Sequence, residues 1–350
     1  GSFASKPSTM VGGAKPRVLI LLRKPPIQTM TSALKKLRIA SRKSRLALWQ
    51  AEHVRSLLQH HHPDTDVEII GMSTEGDRVL DRALYEIGGK GLFTKELELA
   101  LLRGEAELAV HSLKDVPMTL GEAFCLAGIM AREDPRDAWV SPTIPALESL
   151  PQGAVVGTSS LRREAQLKAM RPDIEIQPLR GNLDTRLAKL DRGEYQGIVL
   201  AVAGLNRLEL SHRIAQYCEP TLMLPAVGQA ALGLECLVQR QDVIDMLQVL
   251  DHRPSNLAVS AERELALRLG GSCRLPLAAY ASWEVDRMRL RACVQLPDGR
   301  MVHAEDHQSV ENLNEALGLG AQVAALLMAQ GARPWSGQDG TNPWVNAPSS

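Results

Sequence analysis

The sequence predicts an α/β fold of two similarly built lobes facing a cleft, followed by a small α+β domain. Three observations carry this. Apolar strands alternate with amphipathic helices from Leu37 to about residue 205, the pattern of a mostly parallel sheet with helices on its faces. The alternation stops once, at the charge- and proline-rich DPRDAWVSP (134–142), and then resumes. Beyond residue 270 it gives way to three period-two runs and a final helix.

LRIAS (37–41) reads as the first strand, and the helix after it carries Ala47, Gln50, Val54, Leu57 and Leu58 on one stripe. VEIIGM (67–72) is the second strand. EIGGKGLF (86–93) opens into a helix through Leu102, with Gly88, Gly89 and Gly91 as hinges, and ELAVHS (107–112) is the third strand. DPRDAWVSP reads as a break. The second run gives strand AVVGTSS (154–160), a helix from Leu161, strand IEIQPL (174–179), a helix over 184–192 and strand GIVLAV (197–202). In both runs an apolar strand ends in hydroxyl residues and arginine just before a helix starts. After LPAVGQAALGLE (224–235) the chain reads as helical to about residue 270, broken at Pro254. LAAYASWEV, RMRLRACVQL and RMVHAEDHQ read as strands, PDG (297–299) as a tight turn and ALGLGAQVAALLMA as the closing helix.

Composition removes several function classes. Forty basic residues balance forty acidic ones, so no global field favours nucleic acid or membranes. Aromatics at 3% leave little for base stacking. The longest apolar runs, VLILL and GIVLAVAGL, are far short of a membrane span. Five scattered cysteines, with no C-x-x-C pair, suit free thiols in a reducing compartment. His60, His61 and His62 end an amphipathic helix and read as a solvated terminus, so no metal site is expected. The first fifty residues hold no Asp or Glu, as organelle-targeting segments do. Gly1-Ser2 reads instead as a cloning remnant, and residues 1–36 as a disordered extension or tag outside the fold.

Anion recognition must therefore be local, and arginine placement supplies it. Ser159, Ser160, Arg162 and Arg163 stand at a strand-to-helix junction, where free N–H groups and the helix dipole favour an anion. Arg180 ends another strand, Arg186 starts the next helix, and Arg42 with Ser44 occupies the matching junction of the first lobe. In open α/β sheets ligands bind outside the carboxyl ends of strands. Guanidinium forks suit carboxylates or phosphates; GGKGLFTK (88–95) lacks the spacing of a phosphate loop, which leaves a polycarboxylate. HSLKDVP (111–117) adds Lys114 and Asp115 at the same edge. An acid among cations is useful only if the ligand carries or develops positive charge. Cys273, on the glycine-flexible turn LGGSCRLP beside Arg274, has the setting of a reactive thiolate.

IASRKSRLALWQ, GGKGLFTKELE, HSLKDVP, REDPRDAWVS, GTSSLRR, LRGNLDTRL, AVAGLNRL and LPAVGQ resemble, in the same order, the motifs of the porphobilinogen deaminase (hydroxymethylbilane synthase) family, over about 37–333. The resemblance implies two lobes like the periplasmic binding proteins, formed by 37–130 with 231–248 and by 136–224. It also implies a third domain over 253–333 carrying the cysteine, then a tail over 334–350. It implies a transferase of haem and other tetrapyrrole biosynthesis, joining four porphobilinogens head to tail with loss of ammonia into hydroxymethylbilane. A dipyrromethane cofactor would be held by Cys273 through a thioether, with Asp115 catalytic. Cofactor contacts would fall on Lys114, Asp115, Ser44, Thr158, Ser160, Arg162, Arg163 and Arg186, and substrate contacts on Arg42, Lys90, Arg180 and Arg207. The protein would be a cytoplasmic monomer.

Four positions depart from the family pattern. Arg45 replaces a usual proline, Glu86 a lysine of some relatives, Ala230 the last glycine of VGQG, and Ser272 a glycine. The segment 79–89 reads as a lid over the cleft. A non-catalytic solute-binding protein would leave the loop cysteine without a purpose, and a nucleic-acid binder would need a basic surface that this composition lacks.

Overall fold

The computed structural model describes residues 34–80, 91–271, 274–337 and 342–344. Two five-stranded sheets share one design. The first contains β1 (Lys36–Arg42), β2 (Asp66–Met72), β3 (Leu108–Ser112) and β4 (Phe124–Ile129), and is completed by β10 (Leu232–Leu237) in the order β2-β1-β3-β10-β4. The second contains β5 (Asp137–Val140), β6 (Val155–Gly157), β7 (Glu175–Gln177), β8 (Gly197–Ala201) and β9 (Gln216–Cys218), in the order β7-β6-β8-β5-β9. In each, three parallel strands are followed by one antiparallel strand, β10 or β5, and then by a fifth that runs with the first three. The chain leaves the first lobe after β4 and returns to it at β10, so two crossings, over 130–136 and 219–231, join the lobes.

The local sequence accounts for the helices. In α1 (Arg45–His61) Ser44 caps the first turn and Gln50, Ala51, Val54 and Leu58 are buried; of the expected stripe Ala47 and Leu57 are only half-buried, and Ala51 joins it. α2 (Glu75–Arg78) is one turn closed by a Thr74–Asp77 capping box. α3 (Lys95–Leu102) starts from Gly91, whose φ of 80° lets its carbonyl accept from Lys95 N–H at 3.0 Å. The second lobe adds α4 (Leu161–Met170), α5 (Leu183–Asp191) and α6 (Val202–Arg207).

Four sequence expectations are corrected. DPRDAWVSP is not only a break: Asp137–Val140 is a fully buried strand at the centre of the second sheet's antiparallel half. The stretch read as helical to residue 270 includes Cys236 and Leu237 at the end of β10, before α7 (Gln241–Leu247) and α8 (Arg253–Arg268). Pro254 starts α8 rather than breaking a helix, because a first-turn residue needs no N–H. His62 is also more than a solvated end, since Nε2 meets Met246 O at 3.1 Å.

The third domain packs α8 and α9 (Leu313–Ala329) on the meander β11 (Leu277–Glu284), β12 (Arg287–Gln295) and β13 (Met301–Ser309), with the expected turn at Asp298-Gly299. Its buried Glu262 anchors both crossings. Arg132 donates to it at 2.6 and 3.0 Å, Gly228 N–H at 2.8 Å and Ala281 N–H at 2.9 Å.

Ala230 in the second crossing has φ 71°, a conformation in which a Cβ costs roughly 1–2 kcal/mol. Ala230→Gly is therefore expected to raise unfolding free energy by up to about 1 kcal/mol, the glycine also loosening the unfolded chain. Urea denaturation of the two proteins checks this; a lower midpoint for the glycine variant would contradict it.

Candidate functional site: the cleft between the lobes

The cleft has a volume of about 430 Å3 and lies at the carboxyl ends of the parallel strands of both lobes. Arg42 ends β1, and Ser44 Oγ accepts from Ala47 N–H at 3.3 Å at the start of α1. Lys114 and Asp115 stand in a single 3-10 turn, Leu113–Asp115, between β3 and Pro117. Arg263 of buried α8 fixes that turn from behind, donating to Val116 O at 3.2 Å and Pro117 O at 2.6 Å. From the second lobe come Arg163 and Arg186 in the first turns of α4 and α5, Arg180 after β7, and Arg207 at the end of α6. All eight line the cleft as expected.

Three expected contributors do not line it. Ser160 Oγ caps α4, accepting from Arg163 N–H at 3.3 Å, and buried Thr158 Oγ1 accepts from Ser160 N–H at 3.1 Å. Arg162 turns inward, donating to Asp137 Oδ2 and to Leu224 O, both at 2.7 Å. Arg163 also donates to Asp137, at 3.0 Å, but unlike Arg162 it lines the cleft. Lys90 and Cys273 lie outside the described residues, as do Glu86, Gly88, Gly89, Ser272 and nearly all of the expected lid. The flank of Cys273 is nonetheless placed: a Cβ on Gly271 would lie 3.0 Å from Met118 Cβ, three residues past Asp115.

Two carboxylates hold the cationic wall and were missed in the sequence. Asp77 accepts from Arg42 Nε at 3.1 Å and from Nη2, while Phe93 lies 4.3 Å beneath the same guanidinium. The capping-box spacing Thr74–Asp77 was its only sequence signal. Asp137 takes Arg162 on one oxygen, and on the other Arg163 at 3.0 Å and Gln229 at 3.0 Å. Burial alone would raise the Asp137 carboxyl, but the two guanidiniums hold it well below the usual carboxylate range.

The cations outnumber these partners. Burial, and then the charge of Arg163, push Lys114 down to about 8. Burial, followed by Arg163 and Arg180, brings Arg186 to about 10. Among the described residues neither Lys114 nor Arg186 makes an ion pair; Arg186 Nε donates to Gly181 O at 2.9 Å. Asp115 is open to the cleft, with a side chain 31% exposed and its Oδ2 4.0 Å from Arg42 Nη1. The lobes also meet across the opening, Arg180 Nη2 reaching Val79 O at 3.1 Å and Arg45 clasping Asp184 at 2.7 and 3.0 Å. Such a site can hold several carboxylates around one acid that faces a positively charged reacting group.

An α/β enzyme with a polyanion cleft between two lobes is the class that fold and site define. The chain belongs to the porphobilinogen deaminase family. Residues 37–245 match the family's dipyrromethane cofactor binding domain and residues 256–329 its C-terminal domain. It is 58% identical over 299 residues to the porphobilinogen deaminase of Ralstonia nicotianae, covering 85% of this chain and 90% of the relative. It is 59% identical over 295 residues to that of Albidiferax ferrireducens, covering 84% and 93%. The family polymerises porphobilinogen into hydroxymethylbilane in tetrapyrrole biosynthesis. Among solved structures, the methionine binding protein MetQ overlaps 65% of this chain and 93% of its own, at 13% identity and a TM-score of 0.41. No helix among the described residues is long and apolar enough to cross a membrane, and no group of three or more metal-ligating side chains is found among them.

Removing the Asp137 charge leaves two buried guanidiniums without their anion, so Asp137→Asn is expected to cost about 3–5 kcal/mol. Because the folded carboxyl titrates below the unfolded one, its contribution is complete above about pH 4 and fades as pH falls further. Unfolding curves should show the gap between variant and parent narrowing below that pH; a gap independent of pH would refute the assignment.

Proposed function

We propose that the two-lobed cleft is where porphobilinogens are joined, with Asp115 as the catalytic acid–base group and Cys273 as the attachment point of the dipyrromethane. One observation carries this: Lys114 and Arg186, half-buried cations with no ion-pair partner among the described residues, face the same cleft as the half-buried carboxylate of Asp115. Pyrroles bearing an acetate and a propionate each offer the carboxylates those cations lack. The donor set therefore fits the cofactor. When attached, the dipyrromethane supplies the pyrrole end from which the chain is built.

The chain's own residues then divide the work. Arg163, Arg186 and Lys114 hold carboxylates of the cofactor and growing chain, with Ser44 at the mouth of α1. Arg42, Arg180, Arg207 and Lys90 receive those of incoming porphobilinogen. Arg42 reaches the cleft already oriented by Asp77 and Phe93, and Thr158, Ser160 and Arg162 support Arg163 from behind. Asp115 accepts hydrogen bonds from pyrrole N–H groups and offsets the positive charge that appears when ammonia leaves. Its turn is braced by Arg263, so the carboxylate need not reorganise during the reaction.

For the cysteine, the support is the approach of Gly271 to Met118, which brings the flank of Cys273 beside the Asp115 turn. The other four thiols, Cys125, Cys218, Cys236 and Cys293, are free and buried, and burial first of all pushes Cys218 and Cys293 up to about 12. They are poor nucleophiles. Free thiols also support a cytoplasmic setting, and a cleft completed by one chain supports a monomer. The three separate sheets support domains over 37–130 with 231–248, 136–224 and 253–333.

Intact mass tests the attachment. The parent protein should carry the mass of two linked pyrroles and Cys273→Ser should lack it while keeping its fold. An adduct persisting in the serine variant, or mapping to another cysteine, would overturn the assignment.

A further inference from the structure

Behind the Lys114–Asp115 turn lies a titratable cluster that the roles above leave unused. His111, on β3, is 4% exposed and lines the cleft. Its Nε2 is 2.6 Å from Oε2 of Glu235, a fully buried carboxylate on the neighbouring antiparallel strand β10. Glu235 Oε1 is buried and has no hydrogen-bond partner among the described residues. The acid beside it is Glu98 of α3, whose carboxyl is pushed up to about 8 by burial and then by the charge of Glu235. A proton on Glu98 would give the Glu235 carboxylate the donor it lacks. The other titratable groups around Glu235 are Arg263 from α8, Cys125 from β4 and Cys236 on β10. Arg263 spends its Nη groups on the carbonyls of Val116 and Pro117.

We infer that Glu98, Glu235 and His111 form one hydrogen-bonded chain that presents His111 Nδ1 to the cleft as a proton acceptor for each addition. Glu235, accepting from Nε2–H, selects the tautomer whose lone pair is on Nδ1, the remaining polar atom of a ring that lines the cleft. Glu98 supports Glu235 from its far side. His111 is then a catalytic residue, and Glu235 and Glu98 are positioning residues. The inference rests on the cleft being the site of pyrrole joining.

The reaction has a proton to place. Joining an incoming porphobilinogen to one already added forms a C–C bond at that ring's free α-carbon and breaks its C–H bond. The C–H electron pair restores the aromatic ring, and the proton passes to His111 Nδ1. Ammonia, released from the aminomethyl group in the same cycle, takes that proton and leaves as ammonium, so the aminomethyl substrate enters and its nitrogen leaves with equal charge. Asp115, 4.0 Å from Arg42, stands beside the pyrrole N–H groups and offsets the positive charge of the ring under attack.

Two readouts test this. Nitrogen-15 NMR of protein labelled in its histidine rings should find His111 as the Nε2–H tautomer, in the parent and in Glu98→Gln, whose amide still donates to Glu235. In His111→Gln, second and later additions should slow by ~10²-fold or more. With porphobilinogen deuterated at its free ring α-carbon, those additions should also show a larger primary isotope effect than in the parent. An Nδ1–H tautomer in the parent would overturn the inference, as would slowing without any change in isotope effect, the mark of a merely structural role. Asp115→Asn separates the two levels. If it stalls while His111→Gln runs normally, only this inference fails; if Asp115→Asn runs normally, the reading of the cleft fails with it.

Discussion

One buried carboxylate organises the cationic side of this protein. Asp137 sits on a central strand, out of contact with water, and binds two guanidiniums and the Gln229 amide at once. An isolated carboxylate there would be strongly disfavoured, and so would either arginine without it. Together they leave one net positive charge in the wall, and Arg163 carries it to the cleft. Arg162 ties the same carboxylate to Leu224 O, and Gln229 ties it to Pro135 O, so both crossings between the lobes meet at this point.

The consequences extend across the cleft. With Arg163 held, Arg186 and Lys114 are half-buried in a positive field, and both lose protons more readily than they would in water. That arrangement disfavours the empty cleft and favours one filled with carboxylates. It is also not locked shut. The Arg45–Asp184 clasp between the lobes is half exposed, and a pair in that setting contributes little to stability.

Much of this was legible in the sequence, because parallel strands leave a strong local record. RIASRKS and VVGTSSLRR each announce an apolar strand, a cap and a helix, and strand polarity alone places their arginines at one edge. Asp115 stood out because its charge was wrong for an anion site. What escaped depended on partners distant in sequence. Asp137, between proline and alanine in DPRDAWVSP, reads as a loop until Arg162 and Arg163 are seen to need it. Glu235, closing LPAVGQAALGLE, carries no local signal of its role; its pairing with His111 spans 124 positions. Arg162 and Arg163 are indistinguishable on paper, and only the packed helix decides which faces the cleft. Ala230 gave a hint, since a residue other than glycine in that motif accepts backbone strain.

The central claim is that this field of cations is held ready for carboxylates, and Lys114 reports on it. A carboxylate bound beside it must raise its affinity for a proton from the present value of about 8. Titrating Cys273→Ser protein at pH 8 with a dipyrromethane bearing two acetates and two propionates, in buffers of different ionisation enthalpy, measures the protons exchanged on binding. Net proton uptake that disappears in the additional Lys114→Gln variant is the predicted result. Binding with no uptake, or with uptake unaffected by Lys114→Gln, would contradict the account.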